Sequence, residues 1–313
     1  MPRLLFITSN RIGDAVLSTA ALEEALARLP GAAVTIACGE LPAPLFRATP
    51  GLERIVTVRK EHGRWMKLWQ ALRGARYDLA VDLRGSAITF LLNARQRIVF
   101  AKTRKVQRKV EELAALMRAP PREPRLHLDD RARADALAIA PAAPFLALGA
   151  GSHFIGKRWP PDRFAELTRR ITASGPLAGA PIVLMGGPAD AAVNAELAGL
   201  LDNRVIDATG ALDLLACAAL LAKARLFVGN DSGLMHIAAA AGAATLGLFG
   251  PSDEAVYAPT GRLTRAVRGP RSFKDLTEDK FMPLIEHSLM EDLTIDAVEK
   301  AAREMLWEQA GWA

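Results

Sequence analysis

The sequence predicts an α/β protein made of two doubly wound parallel-sheet halves in tandem. Short apolar, β-branched-rich runs alternate with segments of helical spacing, the pattern of parallel strands joined by helical crossovers. A proline- and charge-rich stretch between Arg118 and Pro144 interrupts this grammar once, after which it restarts. The 313 residues, 50% hydrophobic and 24% charged, suffice for two cores of ordinary size.

The first half opens with a strand at Leu4 to Ile7 and a loop from Thr8 to Asp14. A helix follows, with apolar residues at Ile12, Val16, Leu22, Leu26 and Leu29. Val34 to Ala37, Ile55 to Val58, Leu79 to Leu83 and Ile98 to Phe100 are the next strands. The interrupting stretch holds one short helical pattern, and a boundary at 142 divides the chain into domains 1–142 and 143–313. In the second half Phe145 to Leu148, Ile182 to Met185, Val205 to Ile206, Leu226 to Val228 and Thr245 to Phe249 read as strands. Leu293, Ile295, Val298, Ala301, Met305 and Leu306 mark a closing helix.

Composition narrows the class of function. The N-terminus has an apolar run of only four residues, too short for a secretory signal, and the apolar stretches at Ala211 to Gly229 and His236 to Gly250 are broken by charge or glycine. The two cysteines, Cys38 and Cys217, support neither a disulfide framework nor a cysteine zinc site, and no carboxylate or Cys stands at ligand spacing near the five histidines. A reducing, cytoplasmic compartment and no metal or cofactor are therefore expected. The net charge of +6 and the pI near 9.6 point to an anionic partner without choosing among nucleic acid, acidic lipid and phosphorylated sugar.

Ligands of open parallel sheets bind at the carboxyl ends of the strands, so the loops there are where chemistry is sought. Leu226 to Glu254 reads strand, Gly229-Asn230-Asp231-Ser232-Gly233, Ala-rich helix, strand, Gly250-Pro251-Ser252-Asp253. The first amides of that helix, at Gly233, Leu234 and Met235, form a seat for a phosphate or diphosphate. Asp231 or Ser232 acting as a plain helix cap is the competing reading. A second segment, Phe145 to Leu167, ends a strand in Gly149-Ala150-Gly151-Ser152 and carries Lys157-Arg158 before a new helix. A lysine on such a loop neutralises a leaving diphosphate, as a metal does elsewhere, whereas a solvated Lys157 beside a packing Trp159 is the bland alternative. The basic run Arg95 to Lys109, with Arg95, Arg97, Lys102 and Arg104, suits sugar acids or lipid phosphates, or is a solvated helix face.

SNRIGDAVLSTAALEEAL at the N-terminus, the GAGS–KRWPPDRFAEL block, MGGPAD, and NDSGLMHIAAAAG followed by LFGPSDE together resemble glycosyltransferase family 9, the heptosyltransferases, in order and spacing over most of the chain. The resemblance implies a GT-B fold, two Rossmann-like domains facing a central cleft, with acceptor bound by the N-terminal half and nucleotide-sugar donor by the C-terminal half. It implies inverting, metal-independent transfer of a sugar, heptose from ADP-heptose or a different nucleotide-activated sugar, to an anionic lipopolysaccharide-core or other lipid-linked saccharide acceptor, with peripheral contact at the inner face of the inner membrane and no nucleic-acid partner. Residue by residue, Lys157 matches the lysine at the donor phosphates. Asp231, Ser232, Gly233, Leu234, Met235 and His236 match the loop and helix start that hold the diphosphate and nucleoside. Ser152 falls in the donor loop, Asp190 in GGPAD stands where an acid meets the ribose, and Asp14 in RIGD matches the catalytic base. His153, Phe154 and Ile155 make the loop before Lys157 bulkier than the family pattern.

Two rival readings come from other classes. A dinucleotide-dependent oxidoreductase needs a GxGxxG after a strand with an acid about 20 residues on, and the first loop reads TSNRIGD instead. A non-catalytic protein that binds nucleotide or nucleic acid through its basic surface has no need of Asp14 and Lys157, and both are present.

Overall fold

The computed structural model describes residues 1–59, 62–101, 106–201, 204–277 and 285–310. The chain divides into two compact units, Met1–Asp129 and Asp130–Ala313. Each unit is a single parallel sheet flanked by helices, as the alternation of strand and helix patterns predicts.

The first unit runs β1 (Arg3–Ile7), α1 (Ile12–Arg28), β2 (Ala33–Cys38), β3 (Leu52–Thr57), α2 (Arg64–Leu72), β4 (Arg76–Asp82), β5 (Asn93–Val99) and α3 (Lys109–Met117). Its sheet order is β3-β2-β1-β4-β5, all parallel. The chain winds outward from β1 through β2 and β3, then returns to β4 on the other side of β1. The β1/β4 junction is thus the topological switch point, where loops diverge and leave room for a ligand.

The second unit runs α4 (Asp130–Leu137), β6 (Leu146–Gly149), α5 (Pro161–Ala173), β7 (Ile182–Leu184), α6 (Ala191–Leu200), β8 (Val205–Asp207), α7 (Leu214–Leu221), β9 (Leu226–Asn230), α8 (Gly233–Ala240), β10 (Thr245–Phe249), α9 (Glu254–Tyr257), β11 (Thr264–Arg268), α10 (Phe273–Thr277) and α11 (Ile295–Ala310). The sheet order is β11-β10-β9-β6-β7-β8, again all parallel, with its switch point between β6 and β9. The central strands, covered on both faces, are apolar but for Asn230 and Thr245 at their ends: Leu146, Leu148, Leu226, Val228, Leu246 and Leu248 share one core with Trp159, Phe164 and the inner face of α11. The α5 stripe of Phe164, Leu167, Thr168 and Ile171 repeats at three and four residues and is buried, so that helix lies on the sheet.

Three features differ from the sequence reading. The division falls at Asp129/Asp130 and not at 142, because α4, the short helix in the proline-rich stretch, packs on α7 of the second unit. Arg95 and Arg97 lie on the edge strand β5 and not on a helix face. Thr264–Arg268 forms a strand that the reading did not single out: it is a half-buried edge carrying Arg265 and Arg268, so its apolar signal is weak. Both cysteines are free and buried, and burial pushes each thiol up to about 12, so neither is a nucleophile at neutral pH. Among the described residues no helix is long and apolar enough to cross a membrane.

Candidate active site

In the second unit the predicted donor residues converge on the carboxyl ends of β6 and β9. The register pairs Gly149 with Gly229 across these strands. Side chains are excluded there for a steric reason: a Cβ on Gly149 would stand 2.7 Å from the Phe227 ring, and one on Gly229 2.9 Å from the Gly149 carbonyl oxygen. Beyond the glycines, fully buried Asn230 donates its side-chain amide to the Ala150 carbonyl (2.7 Å) and accepts from the Trp159 amide (3.0 Å). The two loops are thereby tied together. Trp159 is itself fully buried, donating Nε1 to the Leu293 carbonyl (2.9 Å) and meeting Phe164 edge-on.

This frame fixes Lys157, which lies two residues before Trp159. Its Nζ is 2.7 Å from Oδ2 of Asp231, and Nε2 of His236 is 4.0 Å from the other carboxylate oxygen. The solvated-lysine alternative is not what the structure shows. Arg158 turns back to donate Nε to the Ser152 carbonyl (2.9 Å), closing the loop that holds buried Ser152. The bulky residues before Lys157 divide their roles: the Phe154 ring covers Gly156, and Ile155 is exposed.

The start of α8 bears on the cap reading. Its N-cap is Ser232, in extended conformation, and no side chain caps the helix. The Ser232 hydroxyl is buried without a hydrogen-bond partner among the described residues, as is that of Ser252 in the loop after β10. Asp231 faces Lys157 rather than the helix amides. The first amides of α8, at Gly233, Leu234 and Met235, therefore remain free of a competing side-chain cap, with the helix dipole behind them.

Asp190, after β7, joins the same edge. Its Oδ2 accepts from the Gly187 amide (2.9 Å), and a Cβ on Gly151 would lie 2.2 Å from its carboxyl carbon. Only a glycine at 151 lets this carboxylate reach the β6 loop.

In the first unit Asp14 sits in the opening turn of α1, at the carboxyl edge of β1 and hence at the β1/β4 switch point. The Arg11 amide that it could cap is taken by the Ser9 hydroxyl (3.1 Å), and no side chain caps α1. The neighbouring loop is held by buried Asp82, which accepts from the amides of Arg84 (2.9 Å) and Ser86 (3.0 Å) and from the hydroxyls of Ser86 and Thr89 (2.5 and 2.6 Å). Arg84 bridges back to Asn10 (3.0 Å). Arg95 and Arg97 are the third and fifth of the seven β5 residues, and Arg97 pairs across the sheet with Ala80, two residues short of the Val99–Asp82 pair at the carboxyl edge. The Arg97 guanidinium is engaged by the carbonyls of Thr89 (3.0 Å) and Leu92 (2.7 Å). Lys102 and Arg104 lie outside the described residues.

Residues 86–284 match the model of glycosyltransferase family 9 (heptosyltransferase). The chain belongs to this family. Lipopolysaccharide heptosyltransferase 1 of Pseudomonas aeruginosa is 27% identical to it over 298 residues, spanning 83% of this chain and 82% of that one. Among solved structures, the Escherichia coli ADP-heptose LPS heptosyltransferase II superposes with a TM-score of 0.79 at 22% identity, covering 98% and 99% of the two chains. A family 9 glycosyltransferase from Veillonella parvula gives 0.82 at 19% identity, covering 98% of each. These likenesses share the two-domain GT-B fold. As a family 9 glycosyltransferase the chain is an enzyme, and neither the oxidoreductase nor the non-catalytic reading has support.

Two further residues, Asn230 and Arg268, support this site. The sequence signal for Asn230 is its place at the end of a buried strand, where its amide must be satisfied through neighbouring backbone. Arg268 on β11 donates to the Gly250 carbonyl (2.5 Å), to the Ser252 carbonyl and to Glu254, whose carboxyl it holds below the usual range. Nothing in its local sequence marks it, since its partners lie across the sheet edge.

Replacing Asn230 by Leu leaves the Ala150 carbonyl and the Trp159 amide buried without partners. Denaturant unfolding of Asn230→Leu should show a loss of about 2–4 kcal/mol. A change within about 0.5 kcal/mol, the range of ordinary surface substitutions, would show that the loops are held by other contacts.

Proposed function

We propose that this family 9 enzyme is a metal-independent, inverting heptosyltransferase that moves heptose from ADP-heptose to an anionic, lipid-linked acceptor of the lipopolysaccharide core. The observation that carries the donor half is the pairing of Lys157 with Asp231 beside the uncapped start of α8, at the β6/β9 switch point. The heptose and the acceptor class rest on the family and on what its Pseudomonas member is named for.

In a single displacement the acceptor hydroxyl oxygen attacks the anomeric carbon from the face opposite the diphosphate. The bond to the diphosphate oxygen breaks, and configuration inverts. Asp14 takes the hydroxyl proton, and ADP leaves carrying the new negative charge. Lys157 and the α8 amides meet that charge, which is why no metal is needed. When a diphosphate arrives, Lys157 is shared between it and Asp231; the carboxylate keeps the lysine in place rather than neutralising it for good. Ser152, Ser232 and His236 line the donor side, and Asp190 takes the ribose hydroxyls. The net positive charge of the chain serves an anionic acceptor at a cytoplasmic lipid surface and not nucleic acid.

Lys157→Ala should lower turnover by about 10²–10³, the loss of one preorganised charge donor, or about 2–4 kcal/mol. Asp14→Asn keeps size and removes the base, so folding and ADP affinity should hold while turnover falls by about 10² or more. Normal turnover in either variant would withdraw that residue's role. Transfer measured in excess EDTA should match transfer without it, and a strict requirement for added Mg²⁺ or Mn²⁺ would overturn the charge assignment.

A further inference from the structure

The first unit carries an exposed apolar patch that the transfer reaction does not use. Met66 on α2, and Phe90 and Leu91 in the 3-10 turn Ala87–Leu91, are 58%, 66% and 68% exposed. Trp69 joins the two elements: it lies one helical turn beyond Met66, and its Nε1 reaches the Leu91 carbonyl (3.4 Å). The turn is built to hold this shape. Arg97 ties down the carbonyls of Thr89 and Leu92 on either side of Phe90 and Leu91, and the Thr89 hydroxyl is bonded to Asp82. Large apolar side chains held at the surface by buried bonds are a presented feature and not fraying.

The charged residues of the two segments that carry the patch are of a single sign. No Asp or Glu occurs from His62 to Tyr77, where Arg64, Lys67, Arg73 and Arg76 stand, nor from Leu83 to Val110. Arg73 lies over the Trp69 ring at 4.8 Å, and Arg64 and Arg84 approach the Trp65 ring at 5.3 and 5.0 Å. Indoles packed on the core and approached by guanidinium groups, beside aliphatic tips in a basic field whose Asp82 carboxylate is buried beneath the turn, match the headgroup zone of an anionic bilayer: apolar groups enter the acyl boundary while arginines meet phosphates. A protein partner of the same shape would be expected to find some acidic residues to pair among these arginines, and a symmetric copy of this face would set like charges against each other.

We infer that the α2 and Ala87–Leu91 face docks the enzyme on an anionic lipid surface. Arg84 links this face to the β1/β4 switch point, since the same side chain stacks on Trp65 and bonds Asn10 in the loop before Asp14. Docking there brings the acceptor edge of the first unit close to the lipid. The inference rests on the proposed work at a lipid surface, and transfer to a delipidated, water-soluble core acceptor measures the transferase reading separately.

The test is co-flotation of the full chain with vesicles, without donor or acceptor. The wild type should float with phosphatidylglycerol/phosphatidylethanolamine vesicles and not with phosphatidylcholine alone, and raising salt from about 0.1 to 0.5 M should weaken binding severalfold. The triple variant Met66→Ser, Phe90→Ser, Leu91→Ser should bind anionic vesicles at least about tenfold more weakly at an unchanged unfolding midpoint. Trp307→Ser, at an exposed tryptophan of the second unit, should bind like wild type. Three results would overturn the inference: no binding by the wild type, equal binding by the triple variant, or wild-type self-association that the triple variant abolishes without any vesicle binding.

Discussion

Asn230 ends β9 with its carboxamide fully enclosed, one end given to the Ala150 carbonyl and the other to the Trp159 amide. A buried carboxamide is costly unless satisfied, and here the satisfaction comes from the loop that leaves the neighbouring strand. Because β6 and β9 flank the switch point, that pair of bonds ties the loops on its two sides together. Trp159 is then locked into the core, and Lys157, two residues earlier, is delivered to Asp231. The Gly149/Gly229 pair keeps the floor free of side chains, and Gly151 admits Asp190 from the loop after β7. The β6/β9 edge is thus a consequence of one strand order combined with one buried amide.

The first unit uses the same device with a different residue. Asp82 ends β4 and gathers amides and hydroxyls from the loop after it, while Arg84 reaches across to the loop after β1. Both units therefore hold their switch-point loops through a buried polar side chain at the last position of a strand. The two edges differ in charge. The second offers a lysine and helix amides suited to a diphosphate, the first an aspartate without a capping duty. That contrast fits a division of labour in which one unit stabilises a leaving group and the other accepts a proton.

Much of this was legible in the sequence. Ten of the strands, the closing helix and the loops after β6 and β9 follow from apolar runs and glycine punctuation, which are local signals. Lys157 and Asp231 were named from separate segments, but their pairing is a fact of strand order, which periodicity does not encode. The boundary was missed because α4 is short and polar and shows its allegiance only by packing on α7. Arg97 reads as part of a basic run, yet its charge is spent on backbone carbonyls. The exposed side chains Phe90 and Leu91 look like core in the sequence, since nothing local says which apolar residues a sheet will leave outside.

The central claim is that the β6/β9 edge recognises a diphosphate through Lys157 and the start of α8. Calorimetric titration of wild type and Lys157→Ala with ADP, AMP and adenosine addresses it directly, because the three ligands share the nucleoside and differ in phosphate charge. The account predicts that wild type prefers ADP over AMP by at least about tenfold, and that the preference collapses in the variant while adenosine affinity is unchanged. Equal affinity of wild type for ADP and AMP, or an undiminished preference in Lys157→Ala, would contradict it.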